Sequence, residues 1–292
     1  MLDETVKQLY LEQPQRTLYH YTSLTGLMGI IEKRNFWMSD IRYLNDSQEL
    51  KHLGRWLDGI AGRLEQSHGP KKALTQFREW LQHRLLVDFG PTLFVGSFTE
   101  RGNLLSQWRG YCPHGRGVSI GFSPFKLIEQ TQRHFFMIGE CIYDSPTKSD
   151  LAEHVINAII SAAEHVGESS EFHPSQSYHG VFKKIEPELL RIAAVVKDDS
   201  FHEEKEWRVV SPVFTNFIEP PMKFREAPTM LIPYMEMPLA DSGQKLPIED
   251  IIVGPTPTVG LSMESIVRYL RRSGIDSRIA SCGIPYRGSS TS

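Results

Sequence analysis

The order of hydrophobic and polar positions divides the chain into strand-like and helix-like stretches. Residues 16–21, Arg-Thr-Leu-Tyr-His-Tyr, have the aromatic and β-branched character of a strand. Thr22 or Ser23 follows, a hydroxyl able to cap a helix by accepting from a first-turn amide. Leu24, Leu27, Met28, Ile30 and Ile31 then recur at helical spacing, and residues 36–39 return to a short strand. Residues 46–67 read as a helix through Leu50, Leu53, Leu57, Ile60 and Leu64. Gly69-Pro70 interrupts the pattern before residues 71–86 resume it. Strands are expected at 91–99, 117–122 and 135–142, with a short helix or turn at 103–111. Helices at 148–167 and 181–197 flank a polar segment containing Gly167, Pro174 and Gly180. A strand at 205–210 follows, and the tail reads as strand 248–253, a Gly254-Pro255 stop, helix 259–272 and strand 276–280.

Strands at both ends with helices clustered between them predict one α+β domain over residues 1–292. Its β core is mixed or antiparallel, with helical insertions at about 46–88 and 148–197. No internal repeat or low-complexity segment is evident.

Composition narrows the function classes. With 40% hydrophobic and 23% charged residues the chain can bury a core without covalent staples. A net charge of −3 does not mark a polyanion-binding surface. Arg55, Arg63, Lys71, Lys72, Arg78 and Arg84 could track phosphates, the basis for a nucleic-acid-processing reading. Asp58, Glu65 and Glu79 in the same stretch favour a solvated mixed face. Cys112, Cys141 and Cys282 are too few and too scattered for a disulfide framework, and they read as reduced, buried thiols. His114 near Cys112 lacks further ligands, so no metal is expected; GxGxxG, Walker and HExxH patterns are absent, and Gly117-Val-Ser-Ile-Gly121, which spells GxSxG, lies inside an expected strand and forms no nucleophile elbow. The start of the chain lacks the apolar run of a secretory signal, and no stretch approaches the roughly 20 apolar residues of a membrane helix. A cytoplasmic protein without membrane contact is the expectation.

Several segments together carry a resemblance. They are Leu18-Tyr-His-Tyr-Thr-Ser23, Phe36-Trp-Met-Ser-Asp40 with Tyr43-Leu-Asn-Asp46, and Ser97-Phe-Thr-Glu100 leading to Trp108-Arg-Gly-Tyr111 and Gly117-Val-Ser-Ile-Gly-Phe122. Glu204-Lys-Glu-Trp-Arg208 and Ile251-Ile-Val-Gly-Pro255 complete the set. In this order they resemble a prokaryotic family of unknown function, domain-of-unknown-function family 2971, over about residues 16–285. A looser resemblance links the chain to ADP-ribosyltransferases, which begin with a ribose-holding histidine or arginine on a strand and place a Glu-x-Glu late in the chain. It implies an ADP-ribosyltransferase-like fold and NAD⁺ as substrate, with no metal. Catalysis would fall to Glu206 and Glu204, and NAD⁺ binding to His20, Tyr21, Trp37, Ser97, Phe98 and Arg109. A carboxylate on the nicotinamide-side ribose hydroxyl would stabilise the oxocarbenium-like charge formed as the glycosidic bond breaks. An aromatic ring, Trp37 or Phe98, would stack on nicotinamide. The resemblance further implies transfer of ADP-ribose to a protein or nucleic-acid acceptor, a toxin or antiviral defence role, and an inhibitory partner protein.

Plainer readings stand beside these. His20 can be a strand histidine bonded to a carbonyl, and Glu206 a carboxylate paired with Arg208 or Lys205. Trp37, Phe98 and Trp207 read as core aromatics, and Arg109 as a structural ion-pair partner. Asp40, Asn45 and Asp46 read as turn and cap residues. The competing function is a non-catalytic module that binds a nucleotide or a partner.

Overall fold

A computed structural model describes residues 2–44, 49–68, 72–84, 91–112, 117–167, 178–216, 218 and 220–284. Asn45, Asp46, Gly69, Pro70, Lys71, His114 and Pro174, named above, lie outside the described residues. The fold is α+β, built on a ten-stranded sheet. Its strands are β1 (Leu18–Thr22), β2 (Asn35–Asp40), β3 (Phe94–Thr99), β4 (Val118–Phe122), β5 (Met137–Glu140), β6 (Glu206–Val210), β7 (Lys223–Glu226), β8 (Leu231–Pro238), β9 (Ile248–Val253) and β10 (Arg278–Ser281). The main path runs β10-β9-β4-β1-β3-β2-β8-β7, while β6 pairs with β3 and carries β5. β9 and β10 are parallel, and the other ladders are antiparallel, so the sheet is mixed.

The register at β3 shapes the centre. Thr99 faces Glu206 of β6 on one side and Tyr19 of β1 on the other. Val95 faces Val210 of β6 on one side and Ser39 of β2 on the other. β1 and β2 therefore share one edge of β3, β1 at its end and β2 at its start. Both cannot occupy the stretch between, so β1 turns away to pair with β4 and β2 to pair with β8. The sheet is split there.

Alternation along each strand assigns two faces. One carries Leu18, Phe36, Met38, Phe98, Ile120, Trp207 and Val209. It packs under α2 (Leu24–Lys33), α6 (Pro124–Arg133) and α9 (Val259–Arg272) through Leu27, Ile31, Leu127, Ile266 and Leu270. The ring of Phe36 lies across Gly96, where an added Cβ would approach to 2.7 Å. The other face carries Val95 and Val210 beneath α1 (Asp3–Leu9), α3 (Glu49–His68), α4 (Lys72–Arg84), α7 (Ser145–Gly167) and α8 (His179–Ala193). Farther along it, Tyr21 packs on Trp108 of α5 (Leu105–Tyr111).

Ser23 is the residue that caps α2, its hydroxyl accepting from Gly26 N–H at 3.0 Å. The hydrophobic pattern misses α1, α6, β7 and β8. It also runs α8 too far: the helix ends at Ala193, and residues 194–197 turn so that Val196 bridges Ile142. That turn aims Lys197 inward.

Candidate functional site

The residues singled out by the sequence separate into two groups. The first surrounds Glu206. The 3-10 turn Asp199–Glu204 ends at Lys205, whose left-handed backbone (φ 42°) redirects the chain into β6. Glu204 and Glu206 therefore flank a residue that is not in strand conformation, which corrects the expectation of a strand beginning at Lys205. Both acids are buried and converge on Lys197, whose Nζ donates to Glu204 Oε2 at 2.5 Å and to Glu206 Oε2 at 2.7 Å. Arg208, 2% exposed, donates to the same Glu206 carboxylate through Nε at 2.9 Å and Nη2 at 3.1 Å, and through Nη1 to Ala194 C=O. Desolvation alone would raise the Glu206 pKa, but the charges of Arg208 and Lys197 outweigh it and hold it near 2. The Glu206 carboxylate is ionised and enclosed, with each oxygen engaged by a cation.

The second group lies in the split between β1 and β2. The imidazole of His20 packs on Phe36 (centroids 4.7 Å apart) and near Phe98 (6.1 Å). Its Nδ1 sits 3.0 Å from Ser97 C=O, an acceptor that the splayed strands would otherwise leave bare. Burial lowers the His20 pKa to about 4, against the raising effect of the Ser97 carbonyl and with help from the charge of Arg225. The ring is neutral at pH 7. A carbonyl can only accept, so Nδ1 carries the proton and Nε2 is a bare acceptor. Nε2 has no partner among the described residues. The half-buried Ser97 hydroxyl likewise has none.

Four further side chains border the split. Trp37 is 46% exposed and rests one face of its indole on Tyr234, with centroids 4.4 Å apart and planes at 32°. This corrects its reading as a core aromatic. Ser39, at the β2–β3 junction, accepts from Arg225 Nη2 at 3.0 Å. Trp37, Ser39, Tyr234, Arg225 and Ser97 share a sheet face by register.

The remaining candidates have other duties. Phe98 is 2% exposed and stacked on Phe36, so it has no ring face to offer a ligand. Tyr21 is buried: its hydroxyl donates to Arg101 C=O at 2.6 Å and accepts from Leu104 N–H at 2.8 Å, which pins the loop before α5. Arg109 lies exposed on α5. Trp207 is buried, with Nε1–H on Glu100 at 3.2 Å. Asp40 caps the turn at Ile41–Tyr43 and pairs with Arg42 at 2.6 Å.

His20 and Glu206 are not brought face to face. Thr99 shares a face with both Tyr19 and Glu206, so His20, next in the chain after Tyr19, projects from the opposite face. Its contacts with Phe36 and Phe98 agree. What sequence reading missed is Lys197, Arg225 and Tyr234. Lys197 carried a signal, a lone cation closing the apolar run Ala193-Ala-Val-Val.

With the geometry in view, the comparisons can be placed. Residues 107–209 match the model of a family described as Protein of unknown function (DUF2971). The matched segment runs from α5 to β6. It holds Lys197, Glu204, Glu206 and most of β6, whereas His20, Trp37, Ser97 and Arg225 lie outside it. It is narrower than the 16–285 suggested by the motifs. No curated protein and no solved structure gives a significant match. Among the described residues there is no helix long and apolar enough to cross a membrane and no group of three or more His, Cys, Asp and Glu able to hold a metal ion. On the helices read as a possible phosphate track, Arg78 is engaged by Asp58 at 2.8 Å and Glu65 at 2.7 Å, which neutralises it locally.

Proposed function

We propose that this chain is a nucleotide-binding module that takes an NAD⁺- or ADP-ribose-like ligand in the split between β1 and β2 and holds it without cleaving it. The observation that carries this reading is the convergence at Ser97. The unengaged, half-buried Ser97 hydroxyl shares a sheet face with the exposed indole of Trp37 and the guanidinium of Arg225, while the neutral imidazole of His20 fills the split from the opposite face. A hydroxyl without a partner suits a ribose hydroxyl, and an indole backed by a second ring suits a planar base. Glu206 argues against turnover. To act on a ribose it would have to leave Lys197 and Arg208, which would strand two buried cations.

A second reading, NAD⁺ cleavage with ADP-ribose transfer, has one observation in its favour. β1, β3 and β6 are neighbours, and Ser97 and Thr99 share a face with Arg208 and Glu206. The acceptor, the inhibitory partner and a toxin role belong to that reading alone. Two measurements separate the readings. Calorimetry with NAD⁺ and ADP-ribose should give saturable binding that weakens in Ser97→Ala and Trp37→Ala. Labelled NAD⁺ incubated with the protein, with and without cell lysate as acceptor source, should release no nicotinamide. Release abolished by Glu206→Gln would replace the binding reading with the catalytic one, and absence of both binding and release would remove both.

A further inference from the structure

The structure assigns Arg225 the role of an anion anchor in the split, gripping a phosphate of the bound nucleotide; this rests on the nucleotide-binding reading above.

Among the described residues Arg225 differs from the enclosed cations that are ion-paired, and from Arg34, whose Nη2 donates to the Asp241 and Gln244 carbonyls. Lys197 is matched by Glu204 and Glu206, Arg208 by Glu206, Arg42 by Asp40 and Arg78 by Asp58 and Glu65. Arg225 is half-buried, and no carboxylate among the described residues pairs with it. Its one hydrogen bond among the described residues is from Nη2 to the neutral Ser39 hydroxyl. Its Nε–H is enclosed and meets no acceptor. A guanidinium does not shed its proton to escape burial, so the desolvation that lowers its pKa is a standing cost of the unliganded protein. An anion would remove that cost.

Position and geometry select the kind of anion. Arg225 lies on β7, one strand beyond Tyr234, and touches Ser39 where β2 joins β3. Its charge reaches His20 and adds to the lowering of that imidazole's pKa. With Nε enclosed and Nη2 on Ser39, Nη1 is the donor left for a carboxylate or phosphate oxygen. Phosphate is favoured by what surrounds it. A ligand that also meets the Ser97 hydroxyl and gives a planar ring to Trp37, both on the sheet face of Arg225, has the parts of a nucleotide.

The full-length protein can be titrated calorimetrically with ADP-ribose, adenosine and inorganic pyrophosphate, for the wild type and for Arg225→Met and Arg225→Lys. Charge-assisted hydrogen bonds of this kind correspond to about tenfold or more in affinity. ADP-ribose should therefore weaken by at least that factor in Arg225→Met and by less in Arg225→Lys, while adenosine binds both wild type and variants equally weakly. Without ligand, Arg225→Met should melt no lower than wild type, because it deletes an uncompensated charge, and this also shows that the variant is folded. Equal ADP-ribose affinity in wild type and Arg225→Met overturns the anchor and leaves the nucleotide reading standing. Pyrophosphate binding that depends on Arg225, without ADP-ribose binding, keeps the anion site and removes the nucleotide reading. Absence of binding by all three probes removes both.

Discussion

The ammonium of Lys197 stands 2.7 Å from Glu206 and 2.5 Å from Glu204, at a position where its side chain is almost wholly enclosed. With Arg208 the four side chains form a compensated set of two cations and two anions. Such a set is costly to assemble, because each ion must leave water, and more costly to break at one member. Replacing Lys197 with Met removes the charge that Glu204 and Glu206 share and leaves buried carboxylates short of a partner. We expect a loss of about 3–5 kcal/mol in unfolding free energy, read as a lower urea midpoint. The double variant Lys197→Met/Glu206→Gln should recover part of that loss, since it deletes a charge of each sign. A Lys197→Met protein as stable as wild type would contradict the enclosed network.

The network and the split give two separate acid windows. His20 has its folded pKa lowered to about 4 from an ordinary 6.5. As pH falls below 6.5 the unfolded chain takes up a proton that the folded chain refuses until about 4, so stability declines across that interval. Glu206 is lowered to about 2 from 4.5, so its contribution is intact above 4.5 and drains away as pH falls towards 2. Urea midpoints measured from pH 7.5 to 3 should fall in two stages. His20→Gln should flatten the first, and the imidazole protons of His20 should not shift between pH 8 and 5 in an NMR titration.

Much of this architecture was legible from periodicity, and the reasons it failed elsewhere are local. The strand at Ile248–Val253 was readable as an apolar run stopped by Gly254-Pro255, and the helix at Val259–Arg272 by its apolar residues at helical spacing. The β7–β8 hairpin was not, since β7 is mostly exposed and β8 contains two prolines. Those prolines are tolerated by position. Pro238 is in the terminal pair of the β2–β8 ladder opposite Asn35, and Pro233 lies one step beyond the other terminal pair, Ser39 with Tyr234, where β2 asks no bond of it. α6 was hidden because Gln130 and Thr131 are among its buried residues, which breaks the apolar stripe. With β7 unread, Arg225 could not be found. The segments of the resemblance did fall on adjacent strands, β1, β3 and β6. What spacing could not supply was the face, which depends on a one-residue difference in register between Tyr19 and His20.

The two aromatics between which the sequence could not choose should behave in opposite ways. Phe98 is 2% exposed, between Phe36 and Phe122 (4.7 and 5.6 Å between centroids), so Phe98→Ala should destabilise by about 3–5 kcal/mol. Trp37 is 46% exposed and mainly covers Tyr234, so Trp37→Ala should cost about 1 kcal/mol or less. Ligand affinity should follow the reverse order, with Trp37→Ala weakening ADP-ribose and a folded Phe98→Leu leaving it unchanged. Chemical denaturation and calorimetry on the same preparations test both halves. Unfolding costs of similar size for Trp37→Ala and Phe98→Ala would mean that Trp37 is packed as part of the core.

Tyr21 offers the sharpest test of whether the motif around His20 binds ligand as a unit. Its hydroxyl both donates to Arg101 C=O and accepts from Leu104 N–H, and its ring meets Trp108 edge-on at 4.7 Å. The neighbouring Asn103 accepts from Trp108 Nε1–H at 2.9 Å and donates to Cys282 C=O at 2.8 Å, so the loop is held from two sides. Tyr21→Phe keeps the ring and removes the hydroxyl, leaving one carbonyl and one amide without their partner. A cost of about 1–3 kcal/mol is expected, with faster hydrogen exchange at the Leu104 amide. ADP-ribose affinity should stay within a factor of about two, because the hydroxyl faces the loop and not the split. A Tyr21→Phe protein of unchanged stability that binds tenfold more weakly would place Tyr21 among the ligand contacts and move the binding surface from the β2 side of the split towards α5.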